Sequence, residues 1–343
     1  MYLLKVNKPL NIISLLLVII FFNCQKGNNQ KDSSVSRSEL PKIAVLLAPS
    51  GKGDKSYNDM ALSGISYIEK SNMINIVEIL PAKVDEYINT IQRFAEDGSD
   101  LIIGIGYLYT DAISKVAKQF NDVKFLLIDG QIDNLSNVRS IVFRPQEASF
   151  LVGVAAGLVT ETDKVGFIAG MDIPIMQTFA CGYREGVKYI AKNKNINITV
   201  IERFIGSTPD SFTNPARGRD MARLMYQSGI DVIYHAAGAS GNGVINAAKE
   251  TGNFVIGVDT DQSYLAPDFV LTSMIKRIDL AVENAIEDLL NENFSGGIHL
   301  MSLQNGGVDY VKSDLVSSSI WDDVEKAKRK LLNGEINACP EDK

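Results

Sequence analysis

From Lys42 onward the chain repeats one pattern: a short apolar run rich in β-branched residues, then a polar-apolar stretch of helical period. The runs are "KIAVLL" (from 42), "INIVEI" (74), "DLIIGI" (100), "KFLLID" (124) and "VRSIVF" (138), then "KVGFIAG" (164), "NITVIERF" (197), "DVIYHAA" (231), "NFVIGVD" (253) and "VLTSMI" (270). Runs that stay apolar without polar alternation are buried on both faces, the condition of parallel strands lying between helices. The pattern predicts a doubly wound α/β fold. Ten strands exceed one comfortable sheet, so two lobes are expected.

An internal repeat points the same way. "GSDLIIGIGYLYTDAISKVAKQFNDVKFLLIDG" (98–130) parallels "GIDVIYHAAGASGNGVINAAKETGNFVIGVDTD" (229–261). Each unit runs from Gly-x-Asp through a strand, a small-residue loop, a helix and a second strand that ends in aspartate, Asp129 or Asp259. "GFIAGMDIPIMQTFACGYREG" (166–186) reads as the second lobe's counterpart of the opening strand, loop and helix. The segment "VLTSMIKRIDLAVENAIEDLL" is expected to cross back to the first lobe, and the tail "GGVDYV" and "WDDVEKAKRKLLNGEI" to return to the second. The resulting boundaries are 42–144 plus 271–304 for the first lobe and 145–268 plus 305–338 for the second. Several parallel crossings make a hinge suited to closure around a ligand.

Ligands of open parallel sheets bind beyond the carboxyl ends of the strands. That edge holds the loop "SGKGDKSYNDMALSG" (50–64), Asp129, "GASGNG" (238–243) and Asp259. The loop is richer in polar groups than a connection requires, with Asp54, Ser56, Tyr57, Asn58 and Asp59 in close succession. Aspartates accept paired hydrogen bonds from vicinal hydroxyls or ring N–H groups, and Lys276 can donate to an oxygen. Tyr57 can stack on a planar ring, with Phe179 or Phe212 opposite, and Gly238 lets backbone approach a ligand. Each residue also has a structural use: strand-end aspartates cap helices, Phe179 fits a core and Lys276 fits a solvated surface.

Catalytic motifs are missing. The glycines satisfy neither the P-loop spacing nor G-x-G-x-x-G, and there is no G-x-S-x-G elbow, H-E-x-x-H or Cys/His metal spacing. The two histidines, His235 and His299, lie within apolar runs and read as core or edge residues. No cofactor and no metal are expected. The formal charge of −7, with Lys and Arg scattered, leaves no footprint for nucleic acid. Beyond Cys24 only Cys181 and Cys339 remain, so no disulfide framework is expected.

The amino terminus is of another kind. Lys5 and Lys8 precede "IISLLLVIIFF" (12–22), then Asn23 and Cys24. A basic start, about a dozen apolar residues and a polar break make a secretory signal over 1–23. Cys24 stands where a bacterial lipoprotein is cleaved and lipid-modified, although Phe21 and Asn23 depart from the strict box; an uncleaved signal anchor is the alternative. Residues 24–41 are polar enough for a flexible tether. The expected location is a cell membrane, lipid-anchored and facing the periplasm or the outer surface.

"DKSYND", "FLLIDG", "EASFLVGVAAGLVT", "GFIAGMDIP", "GASGNGVINAAKE", "GVDTDQ" and "LTSMIKR", in that order from about Lys42 to Val311, resemble the basic membrane protein (Bmp) lipoproteins. The resemblance implies a type I periplasmic-binding-protein fold, no catalysis, and service to an ABC importer as a monomer that binds purine nucleosides (adenosine, guanosine or inosine). It puts the family's S-F/Y-N motif on Ser56, Tyr57 and Asn58, with Tyr57 on the base and Asn58 at its edge. It further implies Asp129 at the base and Asp259 and Lys276 at the ribose. The family's G-S-F-x-D-P loop is here "GSTPDSFTNP", three residues longer, leaving open whether Phe212 or Phe179 forms the second ring wall. Rival readings are a sugar receptor of the same fold, a surface adhesin for host matrix, and a nucleoside hydrolase.

Overall fold

A computed structural model describes residues 40–70 and 73–340. The signal, the lipidation cysteine Cys24 and the tether up to residue 39 lie outside the described residues.

The first lobe starts with β1 (Lys42–Leu46), α1 (Tyr57–Glu69) and β2 (Asn75–Ile79). It continues through α2 (Tyr87–Glu96), β3 (Leu101–Ile105), α3 (Thr110–Ala117), β4 (Lys124–Ile128) and β5 (Val138–Phe143). The chain then enters the second lobe through α4 (Pro145–Val159), β6 (Lys164–Met171), α5 (Pro174–Lys194), β7 (Thr199–Gly206) and α6 (Pro215–Gln227). There follow β8 (Val232–Ala236), α7 (Ser240–Thr251), β9 (Phe254–Asp259) and β10 (Val270–Lys276). Helix α8 (Ile278–Leu290) and β11 (Gly297–Met301) go back to the first lobe, and β12 (Val308–Tyr310) and α9 (Ser318–Leu332) return to the second.

The two sheets have the orders β11-β5-β4-β3-β1-β2 and β12-β10-β9-β8-β6-β7. Position for position they carry the same winding, so β4 corresponds to β9 and β3 to β8. Every described pairing is parallel except β10 with β12. The two-sided burial expected of the apolar runs holds for the inner strands, whereas the edge strands β2 and β7 are only partly buried. In the first sheet Ile43, Val45, Leu101, Ile103 and Leu126 face one helical layer, and Ala44, Leu46, Ile102, Phe125 and Leu127 face the other. Alternate residues thus enter different cores, and a buried polar strand residue is found with a partner, as Arg139 with Asp288 and Ser140 with the Ile132 N–H.

Three segments cross between the lobes: Arg144, Arg277 and the stretch 302–307. They are laced together where they pass. The Arg144 N–H donates to the Met301 carbonyl at 2.8 Å, the Arg277 N–H to the Gly307 carbonyl at 2.9 Å, and the Leu303 N–H to Glu147 Oε2 at 2.7 Å.

Two expectations are corrected. Residues 271–276 do not join the first lobe: β10 pairs in register with β9, Ser273 opposite Gly257, so the crossing comes at Arg277. The reason is edge completion, since β10 supplies β9 with a parallel neighbour and β12 with an antiparallel one. The cysteines are also paired: Cys181 on α5 is bonded to Cys339 with their Cα atoms 5.5 Å apart. Helix α9 packs on α4 and carries the tail back to α5, an approach that a separation of 158 residues conceals in the sequence.

Candidate functional site

The carboxyl edges of the two sheets face each other across a cavity that is partly open to solvent. Of the sequence-derived candidates, Tyr57, Asp129, Phe179, Phe212, Gly238, Asp259 and Lys276 line it. Its walls are mostly apolar, and its ionisable groups sit together.

Asp129 follows β4 and Asp259 ends β9, the corresponding strands of the two lobes. Both adopt the left-handed region, with φ of +61° and +67°. Aspartate tolerates that conformation better than most residues, and it turns the carboxylate away from the strand direction. Lys276, at the end of β10, is 2 % exposed, and its ammonium group pairs with Asp129 Oδ2. The same oxygen accepts the Tyr57 hydroxyl at 2.6 Å. Asp129 Oδ1 is buried and has no donor. A buried carboxylate oxygen without a partner is costly, so this atom is an acceptor suited to a ligand N–H or O–H.

Aromatic rings surround the ammonium. Lys276 Nζ lies 5.1 Å from the Tyr57 ring centroid, 4.8 Å from that of Phe143 and 5.7 Å from that of Phe179. Ring faces attract a cation, and this helps to hold Lys276 in a nearly dry site. Burial, reinforced by Asp129, pushes the Tyr57 phenol well above its ordinary range, so it remains a neutral donor. Asp259 is pushed up to about 6, chiefly by burial; Lys276 and the hydrogen bond from Ser56 act against that rise.

Both phenylalanines reach the cavity. Phe179 stands in the second turn of α5, two residues before Cys181. Phe212 arrives from the loop after β7 because Gly170 has no side chain: a Cβ there would come within 2.4 Å of the Phe212 ring. The longer loop therefore does not remove Phe212, and the two rings form the walls jointly with Tyr57. Gly238 sits at φ +53° beside Ser50 of the opposite lobe.

Three candidates do not line the cavity. Asp54 spends its carboxylate inside its own loop, accepting from Ser56 N, Asp59 N, Asn58 N, Asn58 Nδ2 and Ser50 Oγ at 2.8–3.2 Å. Asn58 is fully buried; its Oδ1 accepts from Ala48 N at 2.8 Å and its Nδ2 donates to Ser50 and Asp54. Both amide ends are occupied by the loop and Ala48, whereas the resemblance places Asn58 at the edge of a base. Ser56 is likewise buried and donates to Asp259 Oδ2. These three shape the loop and aim its neighbours.

Sequence reasoning missed Tyr107, Leu108, Ile175 and Met176, all of which line the cavity. Two signals were present. Tyr107 and Leu108 follow β3 at the place where Gly238 follows β8 in the repeat. Ile175 and Met176 precede Phe179 by four and three residues on α5, a spacing that puts them on one helix face. His235 behaves as the core residue expected. It is fully buried, and burial lowers it to about 4, with the Gln262 side chain acting against that fall. Among the described residues no cluster of His, Cys, Asp or Glu is arranged to hold a metal ion.

Comparison with known proteins agrees with this architecture. Basic membrane protein A of Borreliella burgdorferi is 35 % identical over 339 residues, covering 96 % of this chain and 95 % of that protein. A Lactococcus lactis protein described as ABC transporter nucleoside-binding protein BmpA is 32 % identical, covering 94 % and 96 %. The crystal structure of an ABC transporter solute-binding protein from Aeropyrum pernix superposes with a TM-score of 0.81 at 29 % identity, covering 88 % of this chain and 94 % of that one. The Bmp family model, described as ABC transporter substrate-binding protein PnrA-like, matches residues 41–342. The chain belongs to the Bmp family of ABC transporter substrate-binding proteins.

Proposed function

We propose that this chain captures a purine nucleoside (adenosine, guanosine or inosine) in the cleft and presents it, enclosed, to the permease of an ABC importer. The observation that carries the reading is one cavity with two chemistries: ring walls from Tyr57, Phe179 and Phe212, and carboxylates with an ammonium at one side. A planar base fits between rings. The free Oδ1 of Asp129 suits a base N–H, and Asp259 with Lys276 suits ribose hydroxyls. The description of the Lactococcus lactis relative as nucleoside-binding supports the same ligand class. A sugar receptor has less use for so many rings. The protein acts as a monomer tethered through a lipid on Cys24, and the mass of the mature chain recovered from membranes tests that anchor.

The direct test is mass spectrometry of small molecules released from protein purified without added ligand, followed by calorimetry. A purine nucleoside should be recovered. Free ribose and free base should each bind at least about 100-fold more weakly, because either leaves buried polar groups or rings unpaired. A sugar in the released fraction, or no nucleoside binding, overturns the reading.

Asp259 makes affinity depend on pH. Ribose hydroxyls donate to the carboxylate, so a bound nucleoside lowers its pKa and binding expels a proton below about pH 6. Affinity should be flat from pH 8 to 6.5, then fall by up to about tenfold per pH unit beneath 6. The free protein responds with the opposite sign. The folded-state value lies above the ordinary 3.8, so this carboxyl's contribution to stability is complete below that value and is lost as pH rises through 6. Calorimetry in two buffers of different ionisation enthalpy measures the expelled proton, and a pH-independent affinity rejects the assignment.

A further inference from the structure

We propose that Gln262 is a positioning residue whose side-chain amide latches the two lobes shut beside the ligand cavity. Three consecutive residues of the first lobe make polar contacts with the second. The Asp54 carbonyl accepts Asn242 Nδ2 at 3.1 Å, the Lys55 carbonyl accepts Gln262 Nε2 at 2.9 Å, and Ser56 Oγ donates to Asp259. None of these bonds requires a ligand. Asn242 and Gln262 do not line the cavity, so their contacts act on closure and not on ligand recognition.

Gln262 has the central place in this set. It is fully buried, its Oε1 accepts the Val258 N–H at 2.9 Å, and its own N–H donates to Ser273 Oγ at 3.0 Å. One amide therefore holds the backbone just before Asp259 with its oxygen and the opposite lobe with its nitrogen. Both places it holds are left-handed: Asp259 at φ +67° and Lys55 at φ +60°. Non-glycine residues adopt that region at a cost, and a fixed partner on each side keeps both turns in place. Room for the amide comes from Gly257, where a Cβ would stand 2.8 Å from Gln262 Oε1 and 2.6 Å from Ser273 Oγ. Opening the cleft breaks the bond to Lys55 while the Val258 bond remains. The geometry of the Asp259 turn and the closure of the lobes are thus joined through a single side chain.

The test is small-angle X-ray scattering of the ligand-free protein, wild type against Gln262→Met and Asn242→Ala. The wild type should be the most compact of the three, and both variants should show a larger radius of gyration, Gln262→Met the larger. Indistinguishable scattering from all three overturns the latch. A cooperative melting transition verifies that each variant is folded. If Gln262→Met does not fold, Asn242→Ala, which leaves the Asp259 turn intact, decides alone. No ligand is added, so the outcome stands apart from the nucleoside reading. With guanosine as probe, stopped-flow release should be about tenfold faster in Gln262→Met, the loss expected for one buried hydrogen bond. Equal release rates would count against the latch.

Discussion

Replacing Lys276 with methionine should lower the folding stability of the ligand-free protein by about 3–5 kcal/mol, the usual result of removing one partner of a buried ion pair. Methionine is close to lysine in length but brings no cation to the Tyr57, Phe143 and Phe179 rings. The change leaves Asp129 with only the Tyr57 hydroxyl and leaves Asp259 without the cation that opposes its rise. The titration of Asp259 should therefore move above about 6. The deficit should be largest near pH 8 and shrink in acid, where protonation relieves the unpaired carboxylates. Denaturant unfolding at pH 8 and pH 5 measures both effects. A variant as stable as wild type at pH 8 would mean that the pair is solvated and that the cleft is not dry.

The second large effect is on the chain terminus. A Cys181→Ser, Cys339→Ser double variant should lose about 2–4 kcal/mol, typical of a bridge that closes a long loop. Reductant should bring the wild type down to the variant's midpoint and leave the variant itself unmoved. An unchanged midpoint in reductant would show that the tail is held by the packing of α9 alone.

How far the sequence reveals this molecule depends on whether a feature is local or long-range. The strands were legible because burial on both faces leaves a one-dimensional mark, an unbroken apolar run. Asp129 and Asp259 were legible because the repeat places each at the end of a strand. Asp54 and Asn58 stand off the cavity for a physical reason. A polar residue in a loop can bond a ligand or its own neighbours, and only the path of the backbone decides between them. Here the Asp54 carboxylate gathers the N–H groups of Ser56, Asn58 and Asp59, so the loop consumes its own polarity. The membership of β10 was hidden because a strand that ends at a hinge looks apolar whichever sheet it joins. The bond from Cys181 to Cys339 required the packing of α9, which no spacing encodes.

Asp129 and Asp259 occupy corresponding strands, share one left-handed backbone and oppose each other across the cleft. Such a pair on its own is close to a mirror that cannot tell head from tail: a ligand rotated by half a turn would meet the same two carboxylates. Direction comes from what each carboxylate is married to. Asp129 is bound to a cation and a phenol, whereas Asp259 takes a single serine hydroxyl. The matching sheets supply the symmetry, and the unlike companions of the two aspartates supply the polarity by which the proposed ligand would be held in one orientation.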